Sequence, residues 1–137
     1  MPRSNKDKGT DAEREVVKLA IEMGFKKASR APLAGANDIG DIIGIDGVCI
    51  EVKDVKDPKM KEYYLQTLRE ARHKDDSLPV LVVRVFRKNP KQWDTYIPLS
   101  WVEYDLRGIP MIPDEDVEWI RMDLEHAFRY MKRMVYR

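Results

Sequence analysis

The hydrophobic and polar positions of the chain change period several times, and each change marks an element boundary. The first nine residues are polar and without period, which predicts a flexible segment that stays loose until something orders it. Beyond Thr10 the apolar positions Val16, Val17, Ala20 and Ile21 fall at helical spacing, with Thr10 and Glu13 placed as a capping box and Gly24 as the C-terminal stop. A short strand is expected over 25–29, then a loop, RAPLAGAN, whose Pro and Gly interrupt regular structure. Residues 38–45 and 48–53 are rich in Ile and Val and meet at Asp46-Gly47, a dipeptide suited to a two-residue hairpin turn.

Over 58–74, Met60, Tyr63, Tyr64, Leu68 and Ala71 share one helical face, so this helix should pack on the sheet. The run LPVLVVRVF, residues 78–86, is continuously apolar and β-branched, as expected of a central strand covered on both faces. Residues 93–99 read as a further strand, Ser100 as the cap of a short helix through Leu106, and 113–136 as a longer helix. In that last helix Trp119, Phe128, Tyr130 and Met131 form an aromatic and Met stripe that either closes the core or meets a partner. The order of helix, strands, helix, strands, helix argues for an α/β fold, a mixed central sheet flanked by helices with an additional C-terminal helix. With no repeat, low-complexity tract or linker, residues 10–137 read as one domain.

Composition narrows the class. A chain of 137 residues with 43% hydrophobic and 36% charged residues can bury a core without disulfides and keeps a heavily solvated surface. No apolar run approaches the roughly 20 residues that span a bilayer, and MPRSNKDKG lacks the apolar stretch of a signal peptide, so no membrane role and a cytosolic location are expected. The one cysteine, Cys49, excludes a disulfide framework and a Cys-rich zinc site, and its apolar neighbours make it a small buried hydrophobe. The net charge of +1 decides nothing, but Lys6, Lys8, Arg14, Lys18, Lys26, Lys27 and Arg30 crowd the N-terminal third, and Arg129, Lys132, Arg133 and Arg137 load the C-terminal end. These either meet phosphates or line solvated helix faces.

The chemistry concentrates in the hairpin GDIIGIDGVCIEVKD. Strand alternation puts Glu51 and Lys53 on one face, with Val52 turned the other way, and a two-residue turn places Asp41 diagonally near Glu51. Two adjacent carboxylates among apolar residues repel each other when both ionise, and a divalent cation resolves that conflict. Hard oxygen donors without a Cys or His cluster favour Mg²⁺ or Mn²⁺ over Zn²⁺. Asp38 is offset by three from Asp41 and so faces the other way, unless a bulge reverses the choice. Asp54 alternates away from Lys53, His73 and His126 are isolated on helices, and Gln66 reads as a solvated helical position that could reach phosphate.

An acid on one strand followed by E-x-K on the next resembles the PD-(D/E)xK nuclease superfamily, with Asp41, Glu51 and Lys53 in the motif positions and Gly40 where a Pro often precedes the acid. Upstream, KGTDAEREVVKLAIEMGF followed by Arg30 is similar to the opening of archaeal-type Holliday junction resolvases, in which a Lys-Gly pair precedes a helix carrying Glu-Arg-Glu. The resemblance runs from about residue 8 to 86; PLAGAN departs from it where a small hydroxyl residue is often found, and the C-terminal segment aligns with nothing.

The resemblance implies a restriction-endonuclease-like fold and a metal-dependent endonuclease acting on branched DNA during recombination, replication or repair. Glu13, Asp41, Glu51 and Lys53 are then the catalytic set, Asp41, Glu51, Glu13 and Val52 the metal contacts, and Lys8, Arg14 and Arg30 the DNA contacts. Glu13 carries a second reading as an ordinary cap at the helix start. The implied cofactor is Mg²⁺, with Mn²⁺ able to substitute. The implied assembly is a homodimer that presents two sites to opposing strands of a four-way junction, in the cytoplasm of a prokaryote or of a virus-infected cell. Two other readings stay open, a related endonuclease acting on flaps, single strands or damage, and a nucleic-acid-binding module without catalysis.

Overall fold

A computed structural model describes residues 5–32, 39–107 and 118–135. Among these, the elements in chain order are α1 (Asn5–Glu22), β1 (Ser29–Arg30), β2 (Ile42–Ile43), β3 (Val48–Lys53), α2 (Met60–His73), β4 (Leu78–Val83), a 3-10 turn at Pro90–Gln92, β5 (Asp94–Pro98), α3 (Leu99–Arg107), β6 (Trp119–Asp123) and α4 (Leu124–Val135). The described strands form a six-stranded sheet in sequence order, β1 to β6. Only the β3–β4 pair within it is parallel, over Val48↔Leu78 to Lys53↔Val83, and the other pairs are antiparallel. A parallel neighbour demands a crossover, which α2 supplies. The result is the mixed, helix-flanked α/β sheet that the sequence pattern predicts.

β4 is buried at every position, as its unbroken apolar run requires. Alternation then divides the core. Val48, Ile50, Val52, Leu78, Val80 and Val82 meet Ala12, Val16, Leu19 and Ala20 of α1 and Leu124, Ala127, Phe128 and Met131 of α4. The intervening residues of β3 and β4 face α2, whose Thr67 and Ala71 are buried. Cys49 is fully buried on this side, its thiol donating to the Ile39 carbonyl at 3.3 Å, in keeping with a packing role.

Several boundaries differ from expectation. α1 starts at Asn5, so Thr10 lies inside the helix and no capping box forms there; residues 5–9 are helical, and 1–4 fall outside the described residues. The Thr10 hydroxyl instead accepts from the Arg30 guanidinium at 3.4 Å. Gly24 does terminate α1, with a φ of +107°. Phe25 is not in a strand but packs on Phe128, ring centroids 5.7 Å apart, and β1 is confined to Ser29–Arg30. β4 ends at Val83, three residues before Phe86, because Arg84 leaves the apolar pattern and pairs with Asp54 at 3.1 Å.

The largest correction concerns the long helix expected over 113–136. Residues 113–117 lie outside the described residues, Trp119–Asp123 is a strand, and only Leu124–Val135 is helical. Five registered pairs with β5 give Trp119–Asp123 backbone partners that an added turn of helix would forgo. Trp119 therefore leaves the helical stripe and stacks on Tyr64 with centroids 4.6 Å apart, while Phe128 and Met131 are fully buried in the core.

Candidate active site

The site is assembled at the mouth of the β2–β3 hairpin. Its turn differs from the two-residue form, since Ile42 pairs with Ile50 while the Asp41 amide also donates to the Ile50 carbonyl at 2.7 Å. Two residues thus oppose one, the geometry of a bulge. Gly40 makes this possible. At φ +91° it has a conformation closed to proline, and a Cβ there would sit 2.7 Å from the Ile50 carbonyl oxygen. The glycine in place of the proline of the resembling motif is therefore what brings Asp41 against β3.

Asp41 Oδ2 accepts from the Val52 amide at 2.7 Å, so Val52 takes part through its main chain while its side chain is buried in the core on the α1 side. Glu51 is only 4% exposed. Its Oε1 lies 3.2 Å from Lys53 Nζ and accepts from Gln66 Nε2 at 3.2 Å; its Oε2 is buried without a hydrogen-bond partner. Lys53 also sits 5.0 Å from the Tyr63 ring centroid. One oxygen of Glu51 is held by Lys53 and Gln66, and the other meets no donor unless a carboxyl of neighbouring Asp41 or Glu70 carries a proton.

Electrostatics follow from this crowding. Burial, then the Glu51 charge and more weakly the Glu13 charge, push the Asp41 carboxyl up to about 9 against the opposing Val52 hydrogen bond. Burial, followed by neighbouring Glu70, raises Glu51 to about 9 despite Lys53 and Asp41. Without a cation the pair thus holds protons at neutral pH.

Glu13, on α1, is held by Arg30 Nη2 at 3.3 Å, and its charge reaches Asp41. Arg30 therefore links β1 to the acid expected to complete the site. Arg14 is exposed on α1, 4.0 Å from Asp11, and Lys8 is exposed one turn or more earlier. Neither touches the carboxylate pair in any described contact. Asp38 lies outside the described residues, Asp54 is turned to Arg84, and His73 and His126 occupy exposed positions of α2 and α4.

Two residues of α2 escape a reading by composition. Gln66 is not a solvated position, because its amide nitrogen spans Glu51 Oε1 at 3.2 Å and Glu70 Oε1 at 2.8 Å. Glu70 is 3% exposed. Tyr63, Gln66, Thr67, Glu70 and Ala71 share a helical face on which polar residues interrupt the apolar pattern, but that spacing does not tell what they meet on the sheet.

Among the described residues, no three His, Cys, Asp or Glu side chains are arranged to enclose a metal ion. The Asp41–Glu51 pair nonetheless fits a hard divalent cation. It offers adjacent carboxylates and an orphaned buried oxygen, and Mg²⁺ characteristically binds through one or two carboxylates while keeping several waters. Comparison with curated proteins gives no match. A family model described as archaeal Holliday junction resolvase (Hjc) matches residues 4–95, about two-thirds of the chain, a span that holds α1, the hairpin, α2 and β4. With that match added to the restriction-endonuclease-like sheet and the hairpin acids, the chain belongs to the archaeal Holliday junction resolvase family.

Proposed function

We propose that this protein is a homodimeric, Mg²⁺-dependent endonuclease that hydrolyses phosphodiesters at four-way DNA junctions, with Mn²⁺ able to replace Mg²⁺. The observation that carries the reading is the buried Asp41–Glu51 pair beside Lys53, with Glu51 Oε2 left without a partner. Bound there, the cation supplies positive charge to the carboxylates and to the phosphoryl oxygens on which charge builds.

The side chains divide the remaining work. Asp41 and Glu51 hold the ion, Asp41 fixed by the Val52 amide and Glu51 by Lys53 and Gln66. Glu13 completes the acidic wall once its pairing with Arg30 passes to the DNA backbone. Lys53 orients the attacking water and offsets charge at phosphorus. The water oxygen gives its proton to solvent and forms a new P–O bond as the bond to one sugar oxygen breaks and that oxygen takes up a proton from solvent. Arg30, Arg14 and Lys8 hold flanking phosphates, which sets register without reading bases, so recognition is by shape. No described helix is long and apolar enough to cross a membrane. The reading places the protein in the cytoplasm beside DNA undergoing recombination or repair.

Asp41→Asn and Glu51→Gln test the assignment directly. Both should lose Mg²⁺-dependent cleavage while junction binding, measured by gel shift in Ca²⁺, stays within a few-fold of wild type. Wild-type cleavage by both variants would refute the site.

A further inference from the structure

The loop that follows β4 exposes an aromatic ring in a basic setting. Phe86 is 82% exposed, by far the most exposed of the large apolar side chains described. Leaving a phenyl ring in water gives up the burial that places most aromatic side chains inside and keeps its face open to a partner. The loop around it reads RVFRKNPK, with Arg84, Arg87, Lys88 and Lys91 on either side of the ring. Arg87 is held at φ +63°, a conformation uncommon for a residue with a Cβ, and its guanidinium lies 5.2 Å from the Phe86 ring centroid. The backbone is thus set to present ring and cation together.

The position of the loop matters as much as its content. β3 and β4 run parallel, so the chain leaves β4 at the same end of the sheet where β3 delivers Lys53. The Arg84 amide donates to the Lys53 carbonyl at 2.9 Å, and the Arg84 guanidinium pairs with Asp54 at 3.1 Å. At its far end the loop passes into the 3-10 turn, which packs on α1, the helix of Glu13 and Arg14. The loop thus begins beside the strand of Glu51 and Lys53 and ends against the helix of Glu13, the two elements that carry these site side chains.

We propose that Phe86 is a structure-reading residue that stacks on the base pair left open at a DNA branch point, with Arg87, Lys88 and Lys91 seating the adjoining phosphates. The proposal rests on the endonuclease reading above and deepens it. Within a linear duplex every base pair is covered by its neighbours, and a ring gains nothing without paying for unstacking. At an open four-way junction the pairs around the branch offer a free face, and stacking of a base on an aromatic side chain is sequence-tolerant. The ring thereby discriminates branched from linear DNA while the cations add affinity for both.

The test compares wild type, Phe86→Ala, Phe86→Trp and Lys88→Ala on a four-way junction and a linear duplex of matched sequence, by gel shift in Ca²⁺ and by cleavage in Mg²⁺. A junction with 2-aminopurine at the branch point reports stacking. Phe86→Ala should bind and cut the junction about tenfold less well while its linear-duplex affinity is unchanged. It should also lose the fluorescence change that wild type produces, and Phe86→Trp should restore both. Lys88→Ala should weaken junction and duplex alike and lower the salt dependence. Wild-type junction selectivity in Phe86→Ala would overturn the proposal and leave the endonuclease reading intact, whereas absence of junction preference in wild type would overturn both. Dissociation of the Phe86→Ala protein into monomers on sedimentation would also overturn it, assigning the ring to contact between copies.

Discussion

At the residue scale, the site depends on how one carboxylate is held. Glu51 Oε1 receives Lys53 and Gln66, and Gln66 is in turn held by buried Glu70, so the orientation of Oε2 is set by a chain of contacts running into α2. Glu70→Leu frees Gln66 to rotate, and Gln66→Leu removes the bridge itself. Each should reduce metal affinity or cleavage by about 10–100-fold, the usual effect of losing a group that orients a ligand. Titrating Mg²⁺ in cleavage assays separates the two possibilities, and an unchanged Mg²⁺ requirement with unchanged rate would contradict the positioning role. Gly40 makes an equally local prediction. Gly40→Ala forces a side chain into φ +91° and toward the Ile50 carbonyl, and should destabilise the protein by about 1–2 kcal/mol while cutting activity through displacement of Asp41. Denaturant midpoints and cleavage rates measured together would check it; a stable and fully active variant would contradict the bulge geometry. Glu51 and Lys53 were visible in sequence because strand alternation is a rigid rule, whereas Asp41 reaches β3 through a bulge that the expected two-residue turn does not contain. Glu70 was not visible, because a single acid on an amphipathic helix carries no sign of whether the sheet beneath it is apolar or acidic.

At the element scale, α4 acts as a core helix. Phe128 is fully buried and packs on Phe25, so Phe128→Ala should cost about 3–5 kcal/mol in urea denaturation, and a cost below about 1 kcal/mol would place α4 outside the core. The apolar half of this element was readable from helical spacing, but its beginning was not. Trp119–Asp123 is only five residues long, too short to separate from a helical stripe by period, and its assignment is decided by pairing with β5, a contact no local pattern contains. The same reason explains the early start of α1 at Asn5. Thr10 has the chemistry of a cap, yet its hydroxyl is used by Arg30 from β1, a partner 20 residues away. β3, α2 and β4 were legible because each carries a long or distinctive pattern, whereas the first hairpin strand, expected over 38–45, is Ile42–Ile43 among the described residues, and the corrections fall where tertiary contacts choose between local options.

At the scale of the whole molecule, the acidic centre links stability to pH and to metal. The Asp41 and Glu51 carboxyls are raised from ordinary values of 3.8 and 4.5 to about 9, chiefly by burial. At neutral pH the metal-free native state therefore holds protons that the unfolded chain has released. The associated stability is fully present below those ordinary values and is lost as pH rises toward 9. In EDTA the melting temperature should fall between pH 6 and 9, Mg²⁺ or Ca²⁺ should raise it most at the upper end, and Glu51→Gln should flatten the dependence. A metal-independent melting temperature across that range would contradict a cation site at this pair. Cleavage of a labelled four-way junction and a linear duplex of the same sequence, with Mg²⁺ and with EDTA, decides whether the protein resolves junctions. Paired cuts confined to the junction arms near the branch, present only with Mg²⁺, are the expected result; equal cutting of the linear duplex, preference for a flap, or binding with no cutting would contradict a junction-resolving endonuclease.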